Sequence, residues 1–134
     1  MKNWMLLLLL LASFTTNAAT PLPKDKVEDF FNSIVSGKIS DAYDKLFIGS
    51  SIPQDKPQAV TLLKQQTENG LPLYGKLLGY EYISEESFGS SIVRYVCVLK
   101  SEKGPTVWEF FFYKPKNEWF LANVIFNDQF TFLR

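Results

Sequence analysis

Apolar residues recur at helical spacing in the first part of the chain. One set lies at intervals of three and four residues and forms a single stripe: Val27, Phe30, Phe31, Ile34 and Val35. Asp25 and Glu28 form a capping pair at the start of this helix, and Gly37 fits the left-handed position just past its end. The pattern predicts a first helix that buries one phenylalanine-rich face.

Two further helices are predicted before the pattern changes. A short second helix is capped by Ser40, and its apolar side consists of Ala42, Tyr43, Leu46 and Phe47. Residues 48–54 are predicted to form a loop. A third helix opens at Asp55, tolerates Pro57 in its first turn and stops at Gly70.

Helical periodicity disappears after residue 76. Strands are predicted over residues 77–84, 91–100, 107–113 and 119–126. The last two are joined by a polar turn at 114–118 and are apolar at odd and even positions alike. We therefore expect this hairpin in the middle of the sheet, with both faces at least partly covered. The whole order predicts an α+β fold in which three N-terminal helices pack on a curved four-stranded antiparallel sheet.

Residues 1–19 have the order of a secretory signal. One lysine supplies a positive charge, residues 4–14 form an apolar core with six consecutive leucines, and small or polar residues follow. This apolar core is too short to span a bilayer of about 30 Å, which favours a secretory signal over a membrane span. We expect cleavage after Ala18, which puts Thr16 at the −3 position, with cleavage after Ala19, which puts Asn17 there, as the alternative. An uncleaved membrane anchor is the opposing interpretation. The prediction is an exported protein, periplasmic or secreted, whose single domain spans 20–134 and keeps no stable membrane anchor.

The composition limits the classes of partner. Loss of the signal removes one of 14 basic residues and leaves 13 against 14 acidic residues, a formal charge near −1. The basic residues are spread singly, so no nucleic-acid partner is predicted. Cys97 is the only cysteine, which excludes an intramolecular disulfide. Its apolar neighbours favour a buried, inert thiol over a reactive one.

Missing residue types exclude several kinds of chemistry. The chain has no histidine, which excludes His-containing catalytic triads and metal sites, and a single cysteine excludes a Cys-rich zinc site. The glycines form neither a dinucleotide-binding fingerprint nor a P-loop. Glu85 and Glu86 are interpreted as solvated turn acids rather than a calcium site. No cofactor and no metal are therefore predicted.

Three charged residues fall on strands that are otherwise apolar. Three turns set the strand register, centred near residues 88–89, 102–103 and 116–117. On that register Arg94 lies diagonal to both Glu81 and Glu109. One interpretation is a pocket floor, in which Arg94 holds an anionic or polar ligand and a carboxylate acts as a base. The other is a charge ladder on a solvated face, contributing about 0.2–1 kcal/mol per pair. Apolar residues share this face: Ile83, Val96, Phe111, Ala122 and Val124.

The opposite face carries aromatic residues with polar atoms. On the same register it holds Tyr80, Tyr82, Tyr95, Cys97, Trp108, Phe110, Phe112, Leu121, Asn123 and Ile125. It is either a ligand cavity with polar handles, or a core or dimer surface whose hydroxyls reach the rim. The candidate ligand-binding residues from both faces are Arg94, Glu81, Glu109, Tyr80, Tyr82, Tyr95, Trp108 and Asn123.

Several segments together resemble the NTF2-like superfamily, and small exported bacterial members most closely. They are Val27-Glu28-Asp29-Phe30-Phe31, Ala42 to Phe47, Tyr74-Gly75, Trp108-Glu109-Phe110, and Trp119-Phe120-Leu121 through Asn127-Asp128. The resemblance covers residues 25–130. It implies a cystatin-like cone, in which a curved sheet wraps around the first helix and leaves a pocket at its open end. The fold hosts enzymes, ligand binders and interaction modules, so it does not by itself imply a function.

Three functions are compatible with these patterns. The first is a non-catalytic binding module for a small apolar or aromatic ligand in the pocket between sheet and helices. The second is a protein-interaction module or homodimer that uses the open sheet face. The third is a histidine-free lyase or isomerase that uses Glu109 or Glu81 with Arg94.

Overall fold

The computed structural model describes residues 21–133, apart from the side chains of residues 131 and 132. The predicted signal and both predicted cleavage positions lie outside the described residues. Within the described part of the chain, no helix combines the length and the apolar character needed to cross a membrane.

Four helices precede the sheet. α1 spans Pro23–Val35, α2 spans Ile39–Leu46, α3 is the single turn Ile52–Asp55, and α4 spans Pro57–Gly70. The sequence predicted three helices and a loop at the position of α3. A helix of four residues is too short to show a hydrophobic period, so this element was missed.

The helix starts depend on proline rather than on the predicted side-chain caps. α1 begins at Pro23 instead of at an Asp25 cap, and α4 begins at Pro57 directly after Lys56, in both cases without a side-chain cap. Proline suits the first helical position because the N–H that it lacks would have no acceptor there. The end of α1 follows the prediction, since Gly37 adopts a φ of 78°.

The rest of the chain forms one antiparallel sheet. A 3-10 turn leads into β1 (Leu77–Phe88), which is followed by β2 (Ile92–Ser101), β3 (Thr106–Tyr113) and β4 (Phe120–Asn127). The strands pair in chain order, which makes β1 and β4 the edges. The predicted α+β class is confirmed. The expectation that the whole β3–β4 hairpin lies mid-sheet is wrong, because β4 has a neighbour on one side only.

The core lies between α1 and one face of the sheet, here called the inner face. Phe30 and Phe31 are buried, and their rings lie 5.4–5.8 Å from those of Trp108 and Phe110. Edge-on and tilted ring contacts of this kind contribute about 0.5–1.5 kcal/mol per pair beyond the buried area. The phenylalanine-rich face predicted for the first helix therefore anchors the helices to the sheet.

A bulge in β4 changes which residues share a face. Ala122 is an extra residue between the Phe112–Leu121 and Phe111–Asn123 pairs. Beyond it, the faces are the reverse of those predicted. Asn123 and Ile125 lie on the outer face, opposite the helices, whereas the buried Val124 lies on the inner face.

A second bulge and a longer strand change the β1–β2 register. Ile83 is the extra residue between the Tyr82–Cys97 and Ser84–Val96 pairs, and β1 continues four residues past its predicted end at residue 84. The β1–β2 turn is centred on Ser90 rather than near residues 88–89, so Glu86, and not Glu81, lies beside Arg94. The β2–β3 register follows the prediction and keeps Arg94 diagonal to Glu109.

The outer face is covered in part. Val96 and Val107 are fully buried there, and the C-terminal 3-10 turn Phe130–Leu133 contacts β3. Next to the β1–β2 and β3–β4 turns, one side chain from each strand forms a row of cross-strand neighbours: Phe88, Ile92, Tyr113 and Phe120. These four side chains are exposed to differing degrees. The outer face thus combines a covered centre with an apolar row that remains partly open.

Candidate functional site

Two of the predicted aromatic ligand residues lie in the core. Trp108 is fully buried, and its Nε1–H donates to Thr106 Oγ1 at 2.9 Å. The ring of Tyr80 stacks on Phe31 with centroids 4.7 Å apart. One of the two predicted alternatives for this face was a ligand cavity, but Phe31 fills the space beside Tyr80. The indole N–H of Trp108 has its hydrogen-bond acceptor within the protein.

The other two tyrosines reach the end of the sheet at which α1 begins. The Tyr82 hydroxyl donates to the Lys24 carbonyl at 3.0 Å, and the Tyr95 hydroxyl donates to Glu85 Oε1 at 3.1 Å. Burial raises the pKa of both hydroxyls, and hydrogen bonding to Glu85 raises that of Tyr95 further. Both groups are therefore neutral at physiological pH and act as hydrogen-bond donors rather than as bases.

A cleft opens at this end of the sheet and has Tyr95 on its floor. We call it the Tyr95 cleft, and its volume is about 310 Å³. The start of α1, the ends of β1 and β2, and the residue before β4 line it: Leu22, Pro23, Lys24, Glu85, Ser87, Val93, Tyr95 and Trp119. The cleft is mostly apolar, and its two charges have opposite sign.

Sequence reasoning found Tyr95 but missed the residues around it. Trp119 was assigned to the last strand by its apolar character, and Glu85 was assigned to a solvated turn. Both assignments considered local pattern alone, whereas the cleft forms because β1 extends to Phe88 and brings Glu85 beside Tyr95. The one sequence signal for this cleft was the position of Trp119 at a strand end next to a polar turn. A Trp side chain suits a binding site because it combines a large apolar ring system with a polar N–H.

Trp119 separates the Tyr95 cleft from a neighbouring one. The second cleft, of about 240 Å³, is lined on its other sides by the start of α1 and by the residues after α2, including Lys26 and Ile48. The Lys26 ammonium donates to the Ile48 carbonyl at 2.6 Å, and burial lowers its pKa. That bond joins α1 to the α2–α3 connection, so Lys26 has a structural role in holding this wall.

The charged residues of the outer face form a compact ion-pair group. Arg94 Nε lies 2.5 Å from Glu109 Oε1, and an Arg94 guanidinium nitrogen lies 3.7 Å from Glu86 Oε1. Glu109 is almost completely buried, while Glu86 is half exposed. Glu81 instead pairs with Lys100 at 3.3 Å, which corrects the prediction that it neighbours Arg94. The position of the β1–β2 turn is the reason, because it is centred on Ser90 rather than near residues 88–89 and pairs Glu86 with Arg94.

The arrangement of these charges suits structure better than catalysis. The closest donor to Glu109 is the Arg94 guanidinium, so its carboxylate is already engaged. The four clefts described for residues 21–133 do not include Arg94, Glu81 or Glu109 among their walls. A general base needs a substrate within hydrogen-bond reach, and the described clefts bring none there.

Asn123, the last predicted ligand residue, lies at a different cleft. This α4–β4 cleft holds about 190 Å³ and lies between α4 and the free edge of β4. Apolar side chains from α2, α3, α4 and β4 supply most of its wall: Phe47, Ile52, Ala59, Val60, Leu63, Ala122 and Val124. Of the described residues that line it, Lys56 is the one that carries a charge.

The buried thiol behaves as expected from its neighbours. Cys97 is fully buried on the inner face, as predicted, and burial raises its pKa to about 12. Among residues 21–133, no group of three or more Asp, Glu, Cys or His side chains is arranged to hold a metal ion.

No protein-family model, no curated protein and no solved structure matches the chain. The resemblance to the NTF2-like superfamily therefore stays a prediction from the sequence.

Proposed function

We propose that the mature protein is a non-catalytic binding protein for a small apolar or aromatic molecule, which it holds in the Tyr95 cleft. One observation carries the proposal: a mostly apolar cleft of about 310 Å³ includes the polar residues Lys24, Glu85 and Ser87 in its wall. Ligand sites in proteins are typically clefts of roughly 300–1,000 Å³ with this composition.

The lining indicates the chemistry of the ligand. Trp119 is half-buried and offers aromatic surface to a flat apolar ring, whereas the Tyr95 ring is buried and contributes little surface of its own. Glu85 already accepts from Tyr95, and its second oxygen suits a donor group on the ligand. The Lys24 ammonium lies 5.2 Å from the centre of the Tyr82 ring, and Lys24 lines the cleft, so a weakly acidic group on the ligand would be favoured.

The absence of catalysis is part of the proposal and has a physical basis. The raised pKa of the Tyr82 and Tyr95 hydroxyls keeps both groups protonated, so neither accepts a proton from a substrate near neutral pH. Glu85 is the one carboxylate that lines the cleft, and it accepts a hydrogen bond from Tyr95. A histidine-free lyase or isomerase that uses Arg94 with Glu109 or Glu81 finds no support in these positions.

Dye binding to the mature chain tests the proposal. Anilinonaphthalene sulfonate should bind with one-to-one stoichiometry and quench Trp119, which lines the cleft. Ser87 is exposed and lines the cleft, so Ser87→Phe should fill the cleft and abolish binding. Ser84→Phe is the matched control, because Ser84 is equally exposed on β1 but lies on the outer face. Equal binding by wild type and Ser87→Phe would contradict the proposal.

A second candidate function is self-association through the outer face. The specific observation is the apolar row of Phe88, Ile92, Tyr113 and Phe120, in which the first three side chains are 36–45% exposed. Light scattering across a wide concentration range tests this candidate with Ile92→Lys, which places a charge in the row. A strictly monomeric mass for the wild type at high concentration would rule it out.

Export is part of the same proposal. Intact-mass analysis of the protein from its own host should give a chain that begins at Ala19 or Thr20. Recovery of the full 134 residues in the membrane fraction would instead support the uncleaved anchor.

A further inference from the structure

The two edges of the sheet differ in how they are protected. An edge strand exposes unpaired N–H and C=O groups, and proteins usually block it with charged side chains, bulges or a covering element. β1 has two bulges and three glutamates: Glu81, Glu85 and Glu86. β4, with the sequence FLANVIFN, contains no charged residue and no proline. Its one bulge lies near its start, at Ala122.

The α4–β4 cleft borders the free edge of β4. Asn123 and Val124 lie on opposite faces of the sheet, yet both line the cleft. Successive side chains of a strand point to opposite faces, so a cleft that meets both of them must run along the strand's edge. The unpaired backbone of β4 and an apolar cavity are therefore side by side.

The size and charge of the cleft specify what fits there. Its volume of about 190 Å³ is close to one large apolar side chain, because an engineered cavity of about 150 Å³ accommodates benzene. Lys56 is its charged residue, and none of the ion pairs of the described residues involves it. A partner that offers a carboxylate beside an apolar side chain would complement both features.

From these observations we infer that β4 binds an extended peptide segment of a partner protein as a fifth strand. The segment pairs with Asn123–Asn127, inserts one leucine- or phenylalanine-sized side chain into the α4–β4 cleft, and places an acidic residue near Lys56. Main-chain hydrogen bonds supply affinity in this mode of recognition, and the side-chain pocket supplies specificity. This site is separate from the Tyr95 cleft and does not depend on the function proposed for it.

NMR titration of the mature chain with defined peptides tests the inference. The probe is a short capped peptide of alternating threonine and valine that contains a central leucine followed by aspartate. The expected result is slowed amide exchange within Asn123–Asn127 and shifted signals around Ala59 on α4. The same peptide with alternate backbone nitrogens methylated should not bind, because it cannot pair with β4. Replacing its leucine with alanine should weaken binding by about tenfold or more.

Variants of the protein distinguish peptide binding at the α4–β4 cleft from non-specific hydrophobic binding. Ala59 lines the cleft and is exposed, so Ala59→Trp should fill it and raise the peptide Kd by about tenfold or more. Gln58→Trp is the matched control on the same helix, since Gln58 is exposed and does not line the cleft. Lys56→Glu should weaken the aspartate peptide and favour a version with lysine in its place.

Three results would overturn the inference. The first is unchanged β4 amides with every peptide. The second is equal binding of the methylated peptide, or signal changes confined to the Tyr95 cleft. The third is protection of Asn123–Asn127 without any peptide together with a dimeric mass, which would identify a second copy of this chain as the occupant.

Discussion

Glu109 is the charged side chain with the most demanding surroundings in the described chain. It is 5% exposed, lies between strands with mostly apolar side chains, and has the Arg94 guanidinium 2.5 Å away. A buried carboxylate needs such a partner, because leaving it unpaired costs far more than the pair itself contributes. The sequence predicted the Arg94–Glu109 contact correctly, since both residues lie on strands joined by a short, well-marked turn.

Substitution of the two glutamates separates a buried pair from an exposed one. Glu109→Gln should lower the free energy of unfolding by roughly 3 kcal/mol, because the mostly buried Arg94 loses its close partner and keeps only the longer contact to the half-exposed Glu86. Glu81→Gln should change it by less than about 1 kcal/mol, because Glu81 and Lys100 are both about half exposed. Urea unfolding of the three proteins measures both values. Similar losses for the two variants would contradict this account of the outer face.

The Cys97 thiol gives a prediction for alkaline pH. Its pKa is raised from 9.0 to about 12 in the folded chain, so between these values the unfolded chain releases a proton that the folded chain retains. Stability should therefore be unaffected by this group below pH 9 and should fall as the pH rises toward 12, by at most about 1.4 kcal/mol per pH unit.

Cys97→Ala isolates the contribution of the thiol. The variant is less stable at pH 7 because it leaves a void, but its stability should decline less steeply than that of the wild type above pH 9. Tyr43, Tyr82 and Tyr95 also have raised pKa values and remain in both proteins, so the difference between the two slopes reports the thiol. Identical slopes in urea unfolding at pH 9–11 would show that the thiol is not held in its protonated form.

At the scale of elements, strands could be predicted and bulges could not. Strand positions follow from runs of apolar and β-branched residues, and the predicted strands overlap all four observed ones. A bulge needs only one extra residue and leaves no mark in the local pattern, as Ala122 and Ile83 illustrate. Because the side-chain period of a strand is two, the bulge at Ala122 exchanged the predicted faces of the β4 residues beyond it.

Deletion of single residues tests the assignment of Ala122 as the extra residue of the bulge. Removing Ala122 should restore a regular ladder, keep Asn123 opposite Phe111 and cost no more than about 2 kcal/mol. Removing Ile125 should turn Phe126 outward, away from the Trp108 ring on which it stacks at 4.4 Å, and cost more than about 3 kcal/mol. Cross-strand NMR contacts and urea unfolding report both outcomes. A deletion of Ala122 that is as damaging as the other would contradict the register.

For the helices, too, some features could be predicted from the local sequence pattern and others depended on neighbouring residues. The amphipathic stripe of α1 and the glycine after it were readable from sequence alone. The residue at which α1 begins could not be predicted, because Asp25 and Pro23 are both residues that favour a helix start. The helix begins at Pro23, whose fixed φ fits the first helical position. Local capping signals locate a helix end approximately, and the adjacent sequence determines the residue at which the helix begins or ends.

At the scale of the whole molecule, the order of elements predicted the fold class and did not predict the clefts. Whether aromatic residues enclose a cavity or fill it depends on ring packing, which pattern does not contain. Phe31 fills the space beside Tyr80 and Trp108, whereas a cleft remains next to Tyr95 even though Tyr82 and Phe112 pack against its ring. The candidate site thus retains one of the four predicted aromatic residues on its wall and adds Trp119 and Glu85.

Two surfaces of the molecule are therefore proposed for different partners. The Tyr95 cleft lies at the end of the sheet where α1 begins, and the α4–β4 cleft lies along the edge of β4. A ligand in the first would contact α1, β1 and β2, whereas a peptide at the second would contact α4 and β4. Ser87→Phe should accordingly abolish binding of the small ligand and leave peptide binding unchanged, whereas Ala59→Trp should weaken peptide binding and leave ligand binding unchanged.

Native mass spectrometry of the mature protein, purified gently from its own host, tests the central claim most directly. The account predicts a monomer that carries one additional small-molecule mass, which is released on collisional activation. The Ser87→Phe variant should lack this mass, and Ser84→Phe should retain it. A wild-type protein without any adduct, or an adduct retained by Ser87→Phe, would contradict the claim that the Tyr95 cleft is a ligand site.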